Sequence, residues 1–318
     1  MRQLIVLVRC LSAVEALCSV QTICLDKTGT ITENRMCVVE VHIDSQQIVV
    51  SDGEFIANGE NINPYACDQL LKLIHVSVLC NESEVNQDQD GEYSIKGSAT
   101  ENALIYMAIA AGVNVTQLRQ KYKLLHTNLR SENRNIMSTV HITENNQKLV
   151  AVKGSPGEVA QICKFWFKDG EITTLTEEDR RSLEIENDQM AGKALRVLGV
   201  AYTHIDASHN GNNYEQDLTW LGLVGMADPI RKGVKELIAD FHEAGIDTVM
   251  ITGDQSPTAY AIAKELELSR ESQLEILDST DLNNLTPEAL TALADKVDVF
   301  ARISPSNKLQ IVQALQSA

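Results

Sequence analysis

The sequence predicts an α/β fold: a doubly wound parallel sheet interrupted by a large inserted α+β block. Three observations carry this. Residues 19–26 (SVQTICLD) are a short apolar run that stops at an acid, the pattern of a buried parallel strand whose C-terminal end bears a functional residue. Residues 232–316 alternate helix and strand patterns, as the strands and crossovers of a parallel sheet do. The long stretch between them shows hairpin spacing instead.

In chain order, the first strand runs into the turn Lys27-Thr28-Gly29. Strands over 36–41 and 47–50 pair around the turn residues Asp44-Ser45. Helices fit 68–80 and 100–111. Residues 136–142 and 148–152 flank Glu144-Asn145-Asn146 and read as an antiparallel hairpin. Further strands follow at 196–205 and 218–224, with the Asn-rich loop 207–213 (ASHNGNN) as the expected crossing or excursion near the return point. An amphipathic helix over 232–244 ends at Gly245, and a strand at 248–251 leads into Thr252-Gly253-Asp254. A helix over 257–268, a strand over 297–301 and a helix over 307–316 complete the alternation.

Composition narrows the function. The 318 residues fit two domains at roughly 150 residues each. With 44% apolar and 22% charged residues the chain can bury a sizeable core. Acids outnumber bases 44 to 27, and the net charge of −17 argues against nucleic acid as a partner. No run approaches the length that spans a bilayer, and the apolar run at 4–8 is too short for a secretory signal. The seven cysteines have wide spacings and no CxxC, so reduced thiols of a cytosolic setting are expected rather than a disulfide framework or a zinc site.

The chemistry-bearing residues lie at strand ends. Asp26 closes a strand and precedes a glycine turn, a position that presents a carboxylate as a nucleophile while backbone N–H groups can hold an anion. A carboxylate attacking a phosphoryl group needs fixed positive charge and Mg²⁺ nearby. Thr252, at another strand end, can donate its hydroxyl to a phosphate oxygen or cap the next helix. Lys308 sits at a helix start, where the macrodipole does not favour it and a bound anion would. Lys153 precedes Gly154, which permits close backbone approach to a ligand.

Residues 19–36 (SVQTICLDKTGTITENRM) resemble the phosphorylation motif of the P-type cation-transporting ATPases, members of the haloacid-dehalogenase superfamily. Other motifs follow in that family's order. Asp228-Pro229-Ile230-Arg231 is similar to its DPxR hinge, Thr252-Gly253-Asp254 to its TGD, and Arg302 and Lys308 lie in ARISPSNKLQIV, similar to the segment with its phosphate-neutralising lysine. Lys153-Gly154-Ser155-Pro156 resembles KGAP of the nucleotide domain, and Gly97-Ser98-Ala99-Thr100-Glu101 resembles its G-x-x-TE. The segment of the form F-S-x-x-R-K-x-M-S appears as Arg130 to Ser138, with Arg130 where the family has an adenine-stacking aromatic and Asn135 where it has a lysine. Arginine can still stack on a base face.

The resemblance implies a Rossmann-like, haloacid-dehalogenase-like phosphorylation domain over 1–39 and 218–318, with a nucleotide-binding domain inserted at 40–217. It implies ATP and Mg²⁺ as cofactors. Asp26 is the implied nucleophile, with Lys27 and Thr28 in its motif, and the metal is held by Asp26, the Thr28 carbonyl and an aspartate of a GDGxND segment that this sequence does not contain. Thr252 and Lys308 would bind phosphate oxygens. Arg231, Asp228, Gly253, Asp254 and Arg302 would guide nucleotide and hinge, and Glu101, Arg130, Arg134, Lys153, Gly154 and Arg196 would line the nucleotide pocket. No GxxxxGK[ST] or GxGxxG occurs, so scattered side chains must hold ATP.

Thr28 separates two relatives. Phosphatases of the superfamily place a second Asp two residues after the nucleophile as acid and base, and threonine cannot do that proton work. The expected protein is therefore the cytoplasmic portion of a longer membrane pump, with a transported cation as partner and its opening residues similar to a stalk. A soluble phosphatase or phosphotransferase, or a nucleotide-binding module without turnover, remain as alternatives.

Overall fold

The computed structural model describes residues 19–317, apart from 89–90, 146, 169, 207–213, 272 and 283. The expected loop at 207–213 and the expected stalk before residue 19 lie outside the described residues. The chain divides into two units: one joins the residues up to Asn34 with those from Ile230 onward, and the other is Arg35–Pro229.

The first unit is built on four parallel strands. Strand β1 (Thr22–Asp26) pairs with the strand Asp247–Ile251, in register from Thr22↔Asp247 to Asp26↔Ile251. The strand Val299–Ala301 lies next and Ile276–Asp278 lies outermost, both parallel. Helices cover both faces because the strand side chains alternate. Met250, Val299 and Ala301 pack with Ile238, Ala259 and Ala263 of the helices Val234–Glu243 and Ser256–Glu265. Val249, Ile251 and Phe300 pack with Leu290, Ile311 and Ala314 of the helices Pro287–Ala294 and Pro305–Ser317. The expectation of a buried first strand is corrected: among the described residues β1 is an edge strand, paired on one side, and its residues are half-buried or exposed.

The second unit is one large sheet. Strands β2 (Cys37–Ile43), β3 (Gln46–Ser51), β4 (Glu54–Ala57) and β5 (Glu60–Asn61) form a meander. Asp44 (φ 47°) and Ser45 (φ 57°) both take left-handed backbone at the β2–β3 turn, the geometry that matches strand twist. The short pair β6 (Glu84–Gln87) and β7 (Tyr93–Lys96) stands apart from the sheet. The sheet continues through β8 (Lys123–Asn128), β9 (Ile136–Ile142), β10 (Lys148–Gly154), β11 (Cys163–Lys168), β12 (Glu171–Thr174), β13 (Arg196–Ile205) and β14 (Leu218–Ala227), in the order β5-β4-β3-β2-β14-β13-β10-β9-β8. Helices α1 (Asp68–Leu79) and α2 (Ala99–Ala110) cover one face, and α3 (Val115–Lys121) packs beside them. Helices α4 (Pro156–Ile162) and α5 (Glu177–Gly192) cover the other.

The limits of this unit differ from the sequence boundaries at 40 and 218. Strand β2 and strand β14 pair antiparallel from His42↔Leu223 to Cys37↔Ala227. A boundary at 40 would cut β2 in two, and one at 218 would detach β14 from its ladder. The two strands form the insert's stem and leave it side by side.

Helix α5 is absent from the sequence expectations, although a signal was present. Thr176 accepts from the Asp179 backbone N–H at 3.2 Å and Asp179 reaches back to the Thr176 N–H at 2.8 Å, a capping box ahead of an acidic first turn. The helix is tied to the sheet by a buried charge cluster. His42 Nε2 lies 2.6 Å from Glu40, its Nδ1 lies 3.7 Å from Glu186, and Lys193 Nζ reaches Glu40 at 2.8 Å. Burial alone would lower the His42 pKa, but hydrogen bonds to Glu186 and Glu40 outweigh it and the pKa is raised. Burial likewise opposes ionisation of Glu40, yet bonds from Lys193 and His42 hold its carboxyl below the usual range.

The stability His42 contributes is complete below its unperturbed value of about 6.5 and is lost as pH rises through its higher folded value. Glu40 contributes above its unperturbed value, about 4.3, and loses its share as pH falls through its lower folded value. Amide exchange in Glu177–Gly192, corrected for intrinsic rate, is therefore expected to be slowest between those two unperturbed values and to accelerate on the alkaline side. In a His42→Gln variant the alkaline acceleration should vanish.

Candidate functional site

Asp26 is the last residue of β1, opposite Ile251, with Thr252 immediately beyond that neighbour. The Lys308 ammonium, from the fourth position of the last helix, lies 2.7 Å from Asp26 Oδ2, 282 residues away in sequence. Both side chains are partly open to solvent. Lys27 turns the other way: it is 9% exposed and its ammonium meets Asp254 at 2.7 Å. That pair ties the turn after β1 to the turn after Asp247–Ile251.

The loop after Asp26 is tightly closed. Thr32 donates both its N–H (3.0 Å) and its hydroxyl (3.2 Å) to the Lys27 carbonyl. Gly29 sits at φ 81°, a conformation a side chain would strain. Arg231 spans the loop from outside, donating from Nε to Thr32 O at 2.9 Å and from Nη2 to Gly29 O at 3.1 Å. Thr28 lies inside this loop. Asp228 is in the other unit, where its Oδ1 accepts from the Arg35 N–H at 3.0 Å. The four-residue hinge motif therefore straddles the point where the chain passes between units.

Thr252 is 2% exposed, and its hydroxyl oxygen accepts from the Asp254 N–H at 3.1 Å. A Cβ on Gly253 would meet only the Ile303 carbonyl, at an ordinary 3.7 Å, so packing within the chain does not require glycine there. Arg302 adopts φ 55°, uncommon for a non-glycine residue, while its N–H bonds the Asp254 carbonyl at 2.8 Å. Its side chain lies 3.7 Å from Asp278. Asp278 was missed from sequence, yet ILD repeats the pattern of CLD: an apolar run ending in an acid at a strand's C-terminal end. A hydrogen bond from Ser256 at 2.6 Å, aided by Thr280 and Arg302, holds the Asp278 carboxyl below its usual range. Asp26, Thr252, Asp254 and Asp278 thus gather at the C-terminal edge of one parallel sheet, where such sheets bind ligands.

In the other unit, Lys153 and Glu101 form a buried ion pair at 2.5 Å, 4% and 5% exposed. Beside it, Arg196 donates to the Thr100 hydroxyl at 2.8 Å. The two motifs that the family resemblance singled out in this unit therefore meet. Gly154 plays a different part from the one expected: it is buried, and a Cβ there would fall 2.3 Å from the Asn135 carbonyl and 2.7 Å from Ile136 Cα. Its missing side chain admits the protein's own backbone. Gly154→Ala is expected to cost about 1–3 kcal/mol by overpacking, read as a lowered urea midpoint with unchanged slope.

Arg134 bonds the Ile136 carbonyl at 2.7 Å and pairs with Glu215, which also accepts from Ser138. It is drawn into the fold. Arg130 is exposed, next to Leu129 at 52% exposure, which leaves a guanidinium and an apolar surface open together. Asn135 bonds Glu158 at 2.6 Å.

Asp26 and a backbone carbonyl are hard oxygen donors that suit Mg²⁺, which commonly takes one or two carboxylates and completes its shell with water and phosphate. Among the described residues no group of three or more His, Cys, Asp or Glu could hold a metal. For a nucleotide, the Lys153 and Arg196 cations, the Lys308 ammonium and the open Arg130 surface are chemically apt.

A family model described as P-type ATPase, cytoplasmic domain N, matches residues 69–233, more than half of the chain. The chain belongs to the P-type ATPases. Over 318 residues it is 36% identical to a calcium-transporting ATPase of Bacillus subtilis, an alignment covering 98% of this chain and 36% of the relative. Calcium-transporting ATPase 1 of Lactococcus lactis is 37% identical over 313 residues (98% and 34%), and human calcium-transporting ATPase type 2C member 1 is 30% identical over 319 (98% and 33%). The chain spans about a third of the length of these P-type ATPases. No helix among its described residues is long and apolar enough to cross a membrane.

Proposed function

We propose that this chain is the cytoplasmic catalytic portion of an ATP-driven cation pump, and that Asp26 is the residue phosphorylated. The observation that carries the reading is the Asp26–Lys308 contact at the C-terminal edge of a parallel sheet, in a chain of this family. The four-stranded unit is then a haloacid-dehalogenase-like phosphorylation domain, and Arg35–Pro229 the nucleotide-binding domain. The names of the relatives favour calcium as the transported ion.

In this mechanism a carboxylate oxygen of Asp26 attacks the γ-phosphorus of ATP. The bond to the β–γ bridging oxygen breaks, ADP leaves with that electron pair, and an acyl phosphate remains on Asp26. Lys308 must release the carboxylate as it attacks and take up a phosphate oxygen instead, so its charge follows the charge that moves. Thr252 adds a hydroxyl donor. Lys27, held by Asp254, fixes the turn so that Asp26 faces outward. Bound Mg²⁺, on Asp26 and the Thr28 carbonyl, would neutralise phosphate charge. Thr28 offers no proton-transferring group, which keeps water from cleaving the acyl phosphate quickly. On the nucleotide side, Lys153, Arg196 and Arg130 supply cationic and stacking contacts.

ATP titration of the chain, followed by calorimetry or chemical shifts, tests the nucleotide half. Binding should map to Arg35–Pro229 and weaken roughly tenfold or more in Lys153→Ala, as loss of a charge-assisted contact implies. Unchanged affinity would remove Lys153 from the pocket. Cation-stimulated ATP hydrolysis by the longer protein, measured across a panel of ions, tests the pump half.

A further inference from the structure

The Lys153–Glu101 pair is held from behind. Glu101 Oε2 accepts not only from Lys153 but from the Glu82 backbone N–H at 3.1 Å. Glu82 lies in the irregular link 80–83 that follows α1. Asn81 Nδ2 donates to the Glu101 carbonyl at 2.9 Å, and Asn81 Oδ1 accepts from the Ser83 N–H at 2.9 Å.

The link itself is gripped by a residue from α3. Arg119 Nη1 donates to Ser83 O at 2.6 Å, and its Nη2 reaches Val78 O at 3.3 Å, Asn81 Oδ1 at 3.4 Å and Asn81 O at 3.5 Å. Among the described residues no carboxylate lies within ion-pair distance of this guanidinium. Its donors go to the last turn of α1 and to the link. Burial lowers its pKa, and the nearby Glu101 charge works against that shift.

We propose that Arg119 is a positioning residue of the nucleotide site, fixing the link so that the Glu82 N–H and the Glu101 carboxylate hold the Lys153 ammonium in place. The role in nucleotide binding rests on the reading of Lys153 given above; the grip on Lys153 does not. A planar fork is required, because Nη1 serves Ser83 while Nη2 serves Val78 and Asn81, and a single ammonium nitrogen cannot occupy both positions.

Arg119→Lys keeps the charge and removes the fork. The nucleotide-free chain is acylated with acetic anhydride, and peptide mass spectrometry gives the rate at Lys153 relative to Lys72. Lys72 belongs to the same unit and donates to the Tyr202 hydroxyl at 3.2 Å, so it reports general loosening. Lys153 should react about five- to tenfold faster in the variant, with Lys72 unchanged. An unchanged Lys153 rate, or equal acceleration at both lysines, overturns the proposal.

ATP titration supplies the second arm. Arg119→Lys should raise Kd about five- to tenfold in the otherwise native chain and less than about twofold in a Lys153→Met background, because the two residues act through one contact. Equal penalties in the two backgrounds overturn the positioning role. A native chain that binds no ATP overturns the nucleotide reading, while the acylation ratio still decides whether Arg119 holds Lys153. Should Arg119→Lys fail to fold, Asn81→Ala leaves Arg119 in place, loosens the same link and carries the same expectations.

Discussion

Asp26→Asn should abolish phosphorylation of the longer protein by ATP while leaving the fold intact. In the unaltered protein, radiolabel from the γ-phosphate is expected as an acid-stable, hydroxylamine-sensitive adduct. A mixed carboxylic–phosphoric anhydride is cleaved by hydroxylamine, whereas phosphoserine and phosphothreonine esters are not. The adduct should accumulate when later steps are slowed, because Thr28 cannot deprotonate water as a carboxylate would. Asparagine occupies nearly the same volume but lacks an anionic oxygen, so label should fall to background. ATP binding should persist or tighten. The charge removed faces the γ-phosphate, and such a repulsion is worth about 1 to 4 kcal/mol at a few ångströms, depending on local dielectric. Label that survives in Asp26→Asn would place the nucleophile elsewhere.

The largest effect on stability should come from Glu101→Ala. Both members of the Glu101–Lys153 pair are almost fully buried, so removing the carboxylate strands an ammonium in a low-dielectric interior. Breaking a buried pair from one side typically costs about 3–5 kcal/mol. For a unit the size of Arg35–Pro229 that lowers the thermal midpoint by roughly 6 to 20 °C. The double replacement Glu101→Leu with Lys153→Met removes both charges and should restore most of the loss, as buried pairs exchanged for apolar residues often do. It should nonetheless fail to bind ATP. Calorimetric scans beside ATP titrations separate the two quantities. A double variant that binds ATP normally would show that the pair serves stability alone.

Much of the architecture was legible from local pattern. The β9–β10 hairpin announces itself by two strand-like runs either side of Glu144-Asn145, and the reading of β13 has its observed ends, Arg196–Ile205. Helix α5 was legible too, through Thr176 and Asp179, but its face is mostly polar and its apolar stripe weak, so periodicity did not point to it. The strands β11 and β12 also left a local signal, the aromatic run at 163–168 and the run at 171–174 separated by Asp169-Gly170, but that signal says nothing of where the hairpin docks. The pairing of β11 with β14 is parallel and joins residues some 50 apart, from Cys163↔Leu218 to Trp166↔Trp220. No local spacing encodes such a pairing.

By itself the sequence determined which residues carry charge and nucleophilic oxygen at strand ends. Asp26 after ICL, Thr252 after VMI and Lys153 before a glycine are consequences of local order, since a strand's end and the turn after it are set by neighbouring residues. Tertiary structure alone decided what each side chain meets. Lys27 lies next to the nucleophile in sequence but is spent on Asp254, whereas Lys308, at the far end of the chain, supplies the ammonium at Asp26. Gly154 makes room for Asn135, and Arg119, which no motif marks, grips the link behind Glu101. Contacts of this kind follow from which strands pair and which helices cover them. They arise from burial summed over the whole unit, a quantity that no short stretch of sequence contains.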